Sequence, residues 1–135
     1  MPHVVSCLLV YDGKLLILKR SKNVRTYKGF WGVVAGYIEA GEKPFETALK
    51  EIREEVGLGN DDVELEKKGK PVKTSDVYKG KRYEWIIYPF IFKIKKKDKV
   101  QIDWEHSEYK WISPNEITRY QTVPYLNEIV RQHLQ

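Results

Sequence analysis

The segment from Pro44 to Gly57 restricts the fold of this chain more than any other part of the sequence. Proline favours the first turn of a helix, and glycine favours the position just after the last turn. Between them, apolar residues recur at helical spacing and share one face. These residues are Phe45, Ala48, Leu49, Ile52 and Val56. The pattern predicts an amphipathic helix over Pro44–Val56 that packs one face against another layer of structure.

Alternating apolar segments on both sides of this helix are typical of β-strands. Strands are predicted over residues 4–10, 15–18, 31–34, 63–74, 82–94 and 111–112. Tight turns are predicted at Asp12-Gly13 and Lys79-Gly80, and a longer structured turn over residues 35–44. Two more helices are predicted, one opening at Ser113 and an amphipathic one near the C-terminus. This mixture of strands and helices predicts an α/β or α+β sandwich.

The composition excludes several classes of protein. The chain has 135 residues, of which 41% are hydrophobic, so it can bury a core. No apolar run approaches the roughly 20 residues that a membrane span requires. Lys and Arg number 24 against 19 Asp and Glu, and the resulting charge of +5 favours an anionic partner. A single cysteine allows no intrachain disulfide, and no basic leader precedes the first strand. We expect one domain over residues 1–135, located in the cytoplasm and not bound to a membrane.

Three acidic residues form a second face of the predicted helix. Glu51, Glu54 and Glu55 stand at positions i, i+3 and i+4, which gathers their side chains on one flank. Like charges at this spacing destabilise an isolated helix by about 0.2–0.5 kcal/mol per pair. A bound cation would remove that cost, and carboxylate oxygens suit Mg²⁺ or Mn²⁺. A solvated helix face is the alternative for such a cluster taken alone.

The spacing around these glutamates distinguishes between the two interpretations. Gly36 is followed after five residues by Glu42 and, after seven more, by the run KEIREEVGL from Lys50 to Leu58. This segment closely resembles the Nudix box, a loop–helix–loop motif with the pattern G, five residues, E, seven residues, R-E-apolar-x-E-E-x-G-apolar. One position departs from it, because Lys50 stands where the family usually has arginine. Trp31-Gly32 and the segment from Trp111 to Glu116 also resemble the family.

The resemblance implies a fold and an activity. The fold is an α/β/α sandwich with a mixed sheet between helices. The activity is hydrolysis of the pyrophosphate linkage in a nucleoside diphosphate linked to another group, X. The substrate is then a nucleotide-type small molecule such as a nucleoside triphosphate, ADP-ribose or a dinucleoside polyphosphate. The identity of X stays open, as does the choice between a monomer and a homodimer.

The resemblance also implies a metal site that binds Mg²⁺ or Mn²⁺. Its ligands are the glutamates of the helix, Glu51, Glu54 and Glu55, together with the backbone carbonyl of Ala35. One of these glutamates, or an acidic residue of a later loop, removes a proton from the attacking water. The candidates in that loop are Glu105 and Glu108.

Three residues are expected to stabilise the loop before the helix. In the family, the arginine at the position of Lys50 ties the loop to the helix, often through the glutamate corresponding to Glu42. Lysine keeps the charge but loses the two-pronged hydrogen bonding of arginine, so we expect a somewhat looser site. Gly36 is expected to bring the backbone close to the metal and the phosphate.

Other residues are candidates for binding the rest of the substrate, because nucleobases stack on aromatic rings and phosphates bind cations. The candidates are Arg20, Arg25, Lys28, Trp31, Arg82 and Trp85. For Trp85, which shares a strand face with Tyr83, packing in the core is the alternative. For the cations, the alternative is an ordinary solvated charge.

Two other functions are consistent with parts of the sequence. A catalytically silent Nudix-like domain could bind a nucleotide or RNA, although such domains usually lose glutamates of the box, which this chain retains. Hydrolysis of RNA 5′ ends is favoured by the positive charge, but no additional RNA-binding region accompanies it.

Overall fold

The computed structural model describes residues 1–135. It contains eight strands and two α-helices, with short 3₁₀ helices at Asn60–Asp62, Lys97–Lys99 and Pro114–Arg119. The strands are β1 His3–Tyr11, β2 Lys14–Arg20, β3 Trp31–Gly32, β4 Val34–Tyr37, β5 Val63–Lys68, β6 Val72–Tyr78, β7 Lys81–Ile94 and β8 His106–Ile112. The helices are α1 Pro44–Val56 and α2 Leu126–Leu134.

The strands form one mixed sheet with β1 and β7 at its centre. These two long strands pair in parallel, and every other pairing between two strands is antiparallel. β7 is long enough to pair with β6 along its first half and with β5 along its second half. β1 likewise pairs with β4 near its start and with β2 only at its end. β8 extends the sheet beyond β2, so the end of β2 lies between β3 and β8.

Alternation along the central strands separates the core into two layers. Val5 and Cys7 of β1 pack in a cluster with Ile52 of α1. Leu8 points to the opposite face and packs with Ile129 of α2. One helix therefore covers each face of the sheet, which confirms the predicted α/β/α sandwich. Neither helix is long and apolar enough to cross a membrane.

Helix α1 has the predicted bounds because its ends are specified locally. At the start, the N–H of Lys43 donates to Oε1 of Glu46 over 3.1 Å, and Pro44 occupies the first turn. At the end, Gly57 adopts a left-handed conformation with φ of 72°, and its N–H donates to the carbonyl of Arg53.

Several predicted elements differ from the structure. Residues 35–37 belong to β4 and pair with β1, so the predicted turn over 35–44 begins later than expected. The predicted strand 63–74 is two strands, which pair with different halves of β7. β8 begins at His106 rather than at Trp111, and the helix after Ser113 is a 3₁₀ helix. Residues 107–110 of β8 are exposed and are polar apart from one tyrosine, so apolar alternation signalled only the end of this strand.

Candidate active site

The site begins where β4 lies against α1. A Cβ atom built at Gly36 would lie 2.6 Å from Oε1 of Glu51, closer than real Cβ contacts occur. Only glycine therefore allows the strand to approach the Glu51 carboxyl group this closely. The contact joins the first residue of the sequence motif to its helix, across the loop that separates them.

Glu55 is the most buried of the three helix glutamates, with 2% of its surface exposed. Its Oε1 accepts a hydrogen bond of 3.5 Å from the N–H of Ala35, and its Oε2 has no partner. Burial raises the pKa of Glu55 well above its ordinary value, and the negative charges of Glu105 and Glu51 act in the same direction. An acidic side chain is thus held in the interior with one of its carboxyl oxygens unpartnered.

The neighbouring carboxyl groups are crowded in the same way. Burial raises the pKa of Glu51 to about 7, with a further contribution from the charge of Glu54. Burial and then Asp103 raise the pKa of Glu105, which lies in the loop before β8. Glu54 itself is exposed on α1. No three His, Cys, Asp or Glu side chains converge on one point, so these groups form a cluster and not a completed set of metal ligands.

A histidine outside the sequence motif lies against this cluster. His106 is the first residue of β8, and its side chain is 4% exposed. Its Nε2 lies 3.8 Å from Oε1 of Glu55, and its Nδ1 lies 2.9 Å from Oδ1 of Asp103. Burial lowers the pKa of His106, which favours a neutral ring whose Nδ1–H donates to Asp103. The sequence did not single out His106, because it predicted the strand only at 111–112 and so missed the start of β8.

The loop between β4 and α1 is tied to the helix through Glu42. Nζ of Lys50 donates to Oε2 of Glu42 over 2.6 Å, and the hydroxyl of Thr47 donates to Oε1 over 2.9 Å. The N–H of Glu39 also donates to Oε1 of Glu42. The hydrogen bond from Lys50 is the largest cause that lowers the pKa of Glu42 to about 2. Lysine thus makes the contact that the sequence assigned to the arginine position.

The two candidate bases outside the helix lie in different surroundings. Glu105 is half-buried, and its charge acts on Glu55. Glu108 is exposed on β8, where it pairs with Lys19 of β2. The structure therefore brings Glu105, and not Glu108, to the carboxylate cluster.

The candidate cationic residues also differ in their surroundings. Arg20 ends β2 and is half-buried, with its Nε–H donating to the carbonyl of Thr26 over 3.0 Å. Burial lowers the pKa of Arg20, and the charges of Glu105 and Glu55 oppose this shift. Arg25 and Lys28 are exposed in the β2–β3 loop. Arg82 is exposed near the start of β7, where its guanidinium donates to Ser75 and Glu84.

The two candidate tryptophans lie on the opposite face of the sheet from α1. Trp31 is 8% exposed and packs edge-on against Tyr120, with ring centroids 5.4 Å apart. Trp85 stacks on Tyr83 and packs against the layer covered by α2. Neither ring meets the carboxylate cluster, because strand alternation places them on the far side of β3 and β7.

The structure therefore joins an α/β/α sandwich to a cluster of acidic side chains built on a loop–helix–loop segment. The family model of the NUDIX domain matches residues 1–133. The chain belongs to the Nudix hydrolase family, which confirms the resemblance seen in the sequence.

Individual relatives agree with this membership. Over 120 residues the chain is 27% identical to the nucleoside triphosphatase NudI of Escherichia coli K12, covering 87% of this chain and 85% of that protein. The fold is similar to that of an Escherichia coli dihydroneopterin triphosphate pyrophosphohydrolase, with a TM-score of 0.81, 17% identity, and coverage of 98% and 94% of the two chains. It is also similar to a Caenorhabditis elegans Ap4A hydrolase, with a TM-score of 0.79, 17% identity and the same coverage.

Proposed function

We propose that this protein is a metal-dependent pyrophosphohydrolase that cleaves the linkage between two phosphates of a nucleotide-type substrate. The observation that carries this proposal is the carboxyl group of Glu55, which is buried with one oxygen unpartnered beside Glu51 and Glu105. Unpaired buried charge is costly, and crowded carboxyl groups with raised pKa values are typical of functional sites. The similarity to the nucleoside triphosphatase NudI and to an Ap4A hydrolase supports a nucleotide-type substrate.

The residues present fit a divalent cation. The unpartnered Oε2 of Glu55, the carboxyl group of Glu51 and the exposed carboxyl group of Glu54 are hard oxygen donors, which Mg²⁺ and Mn²⁺ prefer. The carbonyl of Ala35 is a further donor at the edge of β4. A bound cation would neutralise charge on the diphosphate and would make the attacking water more acidic. The incomplete set of protein ligands agrees with sites for Mg²⁺, in which water and substrate phosphate supply the remaining ligands.

The reaction that we propose consumes one water molecule. The water oxygen forms a bond to one phosphorus, and the bond from that phosphorus to the bridging oxygen breaks. The bridging oxygen leaves with the second phosphate, and one proton of the water passes to a carboxylate. Glu105 suits this last role because its raised pKa makes it a stronger base than an ordinary glutamate. A glutamate of the helix is the other candidate.

The remaining residues position these groups. The bonds from Lys50 and Thr47 to Glu42 fix the loop that carries the backbone from Gly36 to the start of α1. Arg20 lies beside Glu105 and Glu55, where a guanidinium can bind a phosphate oxygen of the substrate. Preorganisation of this kind contributes to catalysis by holding the reacting groups in place.

The decisive experiment is a substrate screen with and without Mg²⁺. Nucleoside triphosphates, ADP-ribose, dinucleoside polyphosphates and capped RNA are incubated with the protein, and chromatography of the products locates the cleaved bond. Glu54→Gln should lower kcat by about a hundredfold or more, since metal-site electrostatics supply several kcal/mol of transition-state stabilisation. Glu66→Gln, an exposed glutamate on β5, is the matched control and should behave like wild type. Hydrolysis that is unaffected by chelator, or by Glu54→Gln, would contradict the proposal.

A further inference from the structure

A cleft of about 600 Å³ opens at the end of β2, next to the carboxylate cluster. One wall is made of residues 19–23 with Lys28 and Gly29, and the other of Trp104, His106 and Ser107. We call it the Trp104 cleft. Its volume lies within the range of sites that bind small molecules.

The charges of the Trp104 cleft are all of one sign. Four cations line it, namely Lys19, Arg20, Lys22 and Lys28, and no acidic residue does. Lys22 and Lys28 are exposed and carry no ion pair. A cleft lined by one sign of charge concentrates ligands of the opposite sign, so the ligand chemistry that fits these residues is a polyanion.

The aromatic wall of the cleft is exposed, although its backbone is fixed. Trp104 is 66% exposed, which is a high value for a large apolar residue. Yet the hydroxyl of Ser21 donates to the Trp104 carbonyl over 2.9 Å, and the N–H of Ser21 donates to the Glu105 carbonyl over 2.8 Å. Ser21 thereby joins the two walls. A ring presented on a fixed backbone is suited to stacking on a planar group such as a nucleobase.

The cleft is continuous with the carboxylate cluster. His106 lines the cleft and also faces the cluster, since its Nε2 lies 3.8 Å from Oε1 of Glu55. Arg20, which lines the cleft as well, is the β2 residue that pairs with His106 of β8. A molecule with two phosphates at the cluster can therefore extend past Arg20 into the cleft.

We infer that the Trp104 cleft binds the nucleoside end of the substrate together with phosphate beyond the two held at the carboxylate cluster. The substrate is then a nucleotide with a chain of three or more phosphates, and its base stacks on Trp104. ADP-ribose fits less well, because its two phosphates are both used at the cluster and four cations would face an uncharged riboside. This inference rests on the proposed function, since it takes the carboxylate cluster as the place where the diphosphate binds.

Steady-state kinetics with Mg²⁺ test the inference. The substrates are the four common nucleoside triphosphates, a dinucleoside tetraphosphate and ADP-ribose. Wild type should show at least a tenfold higher kcat/KM for one of the longer phosphate chains than for ADP-ribose. Trp104→Ala should raise KM for that substrate about tenfold, as expected for loss of one stacked base, and leave kcat within about twofold. Trp104→Phe should restore most of the loss because it keeps an aromatic face.

The lysines are tested in the same assay. The double substitution of Lys22 and Lys28 to alanine should raise KM for the longer chains and leave KM for ADP-ribose unchanged. Lys93 and Lys95 lie beside the β1–β2 turn, at the opposite end of β2, and their double substitution to alanine is the control for loss of two charges. Tyr109→Ala, an exposed aromatic on β8 outside the cleft, is the control for Trp104. Both controls should match wild type.

The outcomes separate this inference from the proposed function. If the enzyme is active but Trp104→Ala has wild-type kinetics, or ADP-ribose is the best substrate, the inference is wrong and the proposed function stands. If no substrate is hydrolysed with Mg²⁺, the proposed function fails. Tryptophan fluorescence of the metal-free protein then tests whether the Trp104 cleft binds a nucleotide. Nucleotide binding in the cleft is supported if a nucleoside triphosphate quenches the fluorescence of wild type but not of Trp104→Phe, and if inorganic tripolyphosphate quenches neither. Absence of that difference overturns it.

Discussion

Nε2 of His106 lies 3.8 Å from Oε1 of Glu55, and both side chains are almost fully buried. The other ring nitrogen is held by Asp103 over 2.9 Å, and the N–H of Asp103 donates to the backbone carbonyl of Glu55. The loop before β8 therefore contacts Glu55 at both its side chain and its backbone. This arrangement restricts the position of a carboxyl group that we propose as a metal ligand.

Replacing His106 by asparagine should weaken metal binding. Asparagine can still donate to Asp103, but it removes the ring that faces Glu55. Partners that orient a metal ligand typically contribute 10- to 100-fold in affinity, so we expect a loss of about tenfold or more in Mg²⁺ affinity. Calorimetric Mg²⁺ titration measures it, and His3→Asn, at an exposed position on β1, is the control. Unchanged affinity would show that Glu55 does not depend on this contact.

Gly36→Ala should displace the carboxyl group of Glu51, because the added Cβ has no room beside it. Overpacking of this kind costs about 1–3 kcal/mol, and the displaced carboxyl group should also lower activity. Thermal unfolding and kcat are measured together. Gly59→Ala is the matched control, since a Cβ there would make an ordinary contact of 3.5 Å with Asp62. Activity at the wild-type level in Gly36→Ala would contradict the tight fit of β4 on Glu51.

Lys50→Arg should preserve or raise activity. The single bond from Lys50 to Oε2 of Glu42 can be replaced by the two-pronged contact of a guanidinium. Lys50→Met, which removes the charge at similar length, should lower kcat because the loop loses its tie to α1. If Lys50→Arg folds normally but loses activity, then Lys50 contributes to the enzyme by something other than its contact with Glu42.

Glu42 should contribute stability that depends on pH. Its pKa is about 2 in the folded protein against an ordinary value of 4.5, so the folded state prefers the charged form. The contribution is therefore fully present above about pH 5 and is lost as pH falls toward 2. Unfolding midpoints of wild type and Glu42→Gln, compared from pH 7 to pH 2, should converge at the acidic end. A difference that stays constant over this range would exclude the ion pair as its source.

Glu51 should have the opposite effect in metal-free protein. Its pKa is raised to about 7, so its ionisation costs stability as pH rises from about 5 to 8. Glu51→Gln should be more stable than wild type at pH 8 without metal, and the two should approach each other at pH 5. Adding Mg²⁺ should raise the unfolding temperature of wild type and not that of Glu51→Gln. An unfolding temperature of wild type that does not change with Mg²⁺ would argue against a metal at Glu51.

The sequence by itself determined α1, its glutamate face and the family. These features are specified by neighbours along the chain: Pro44 and Gly57 set the ends of the helix, and the 3.6-residue period places Glu51, Glu54 and Glu55 on one flank. The contact between Lys50 and Glu42 belongs to the same short segment. Strand alternation likewise predicted most of the strands.

Only the tertiary structure decided which distant residues join this helix. The carboxyl group of Glu55 faces His106, and its backbone carbonyl accepts from the N–H of Asp103, because the chain returns along the end of α1 just before β8 begins. The exposed and mostly polar residues 107–110 of β8 give no periodic signal for that return, and the exposure of Trp104 is recognisable only once its neighbours are placed. Local periodicity indicates which face of a helix or strand a side chain occupies. The residues from other elements that contact that face are determined by the pairing of strands that lie far apart in the sequence.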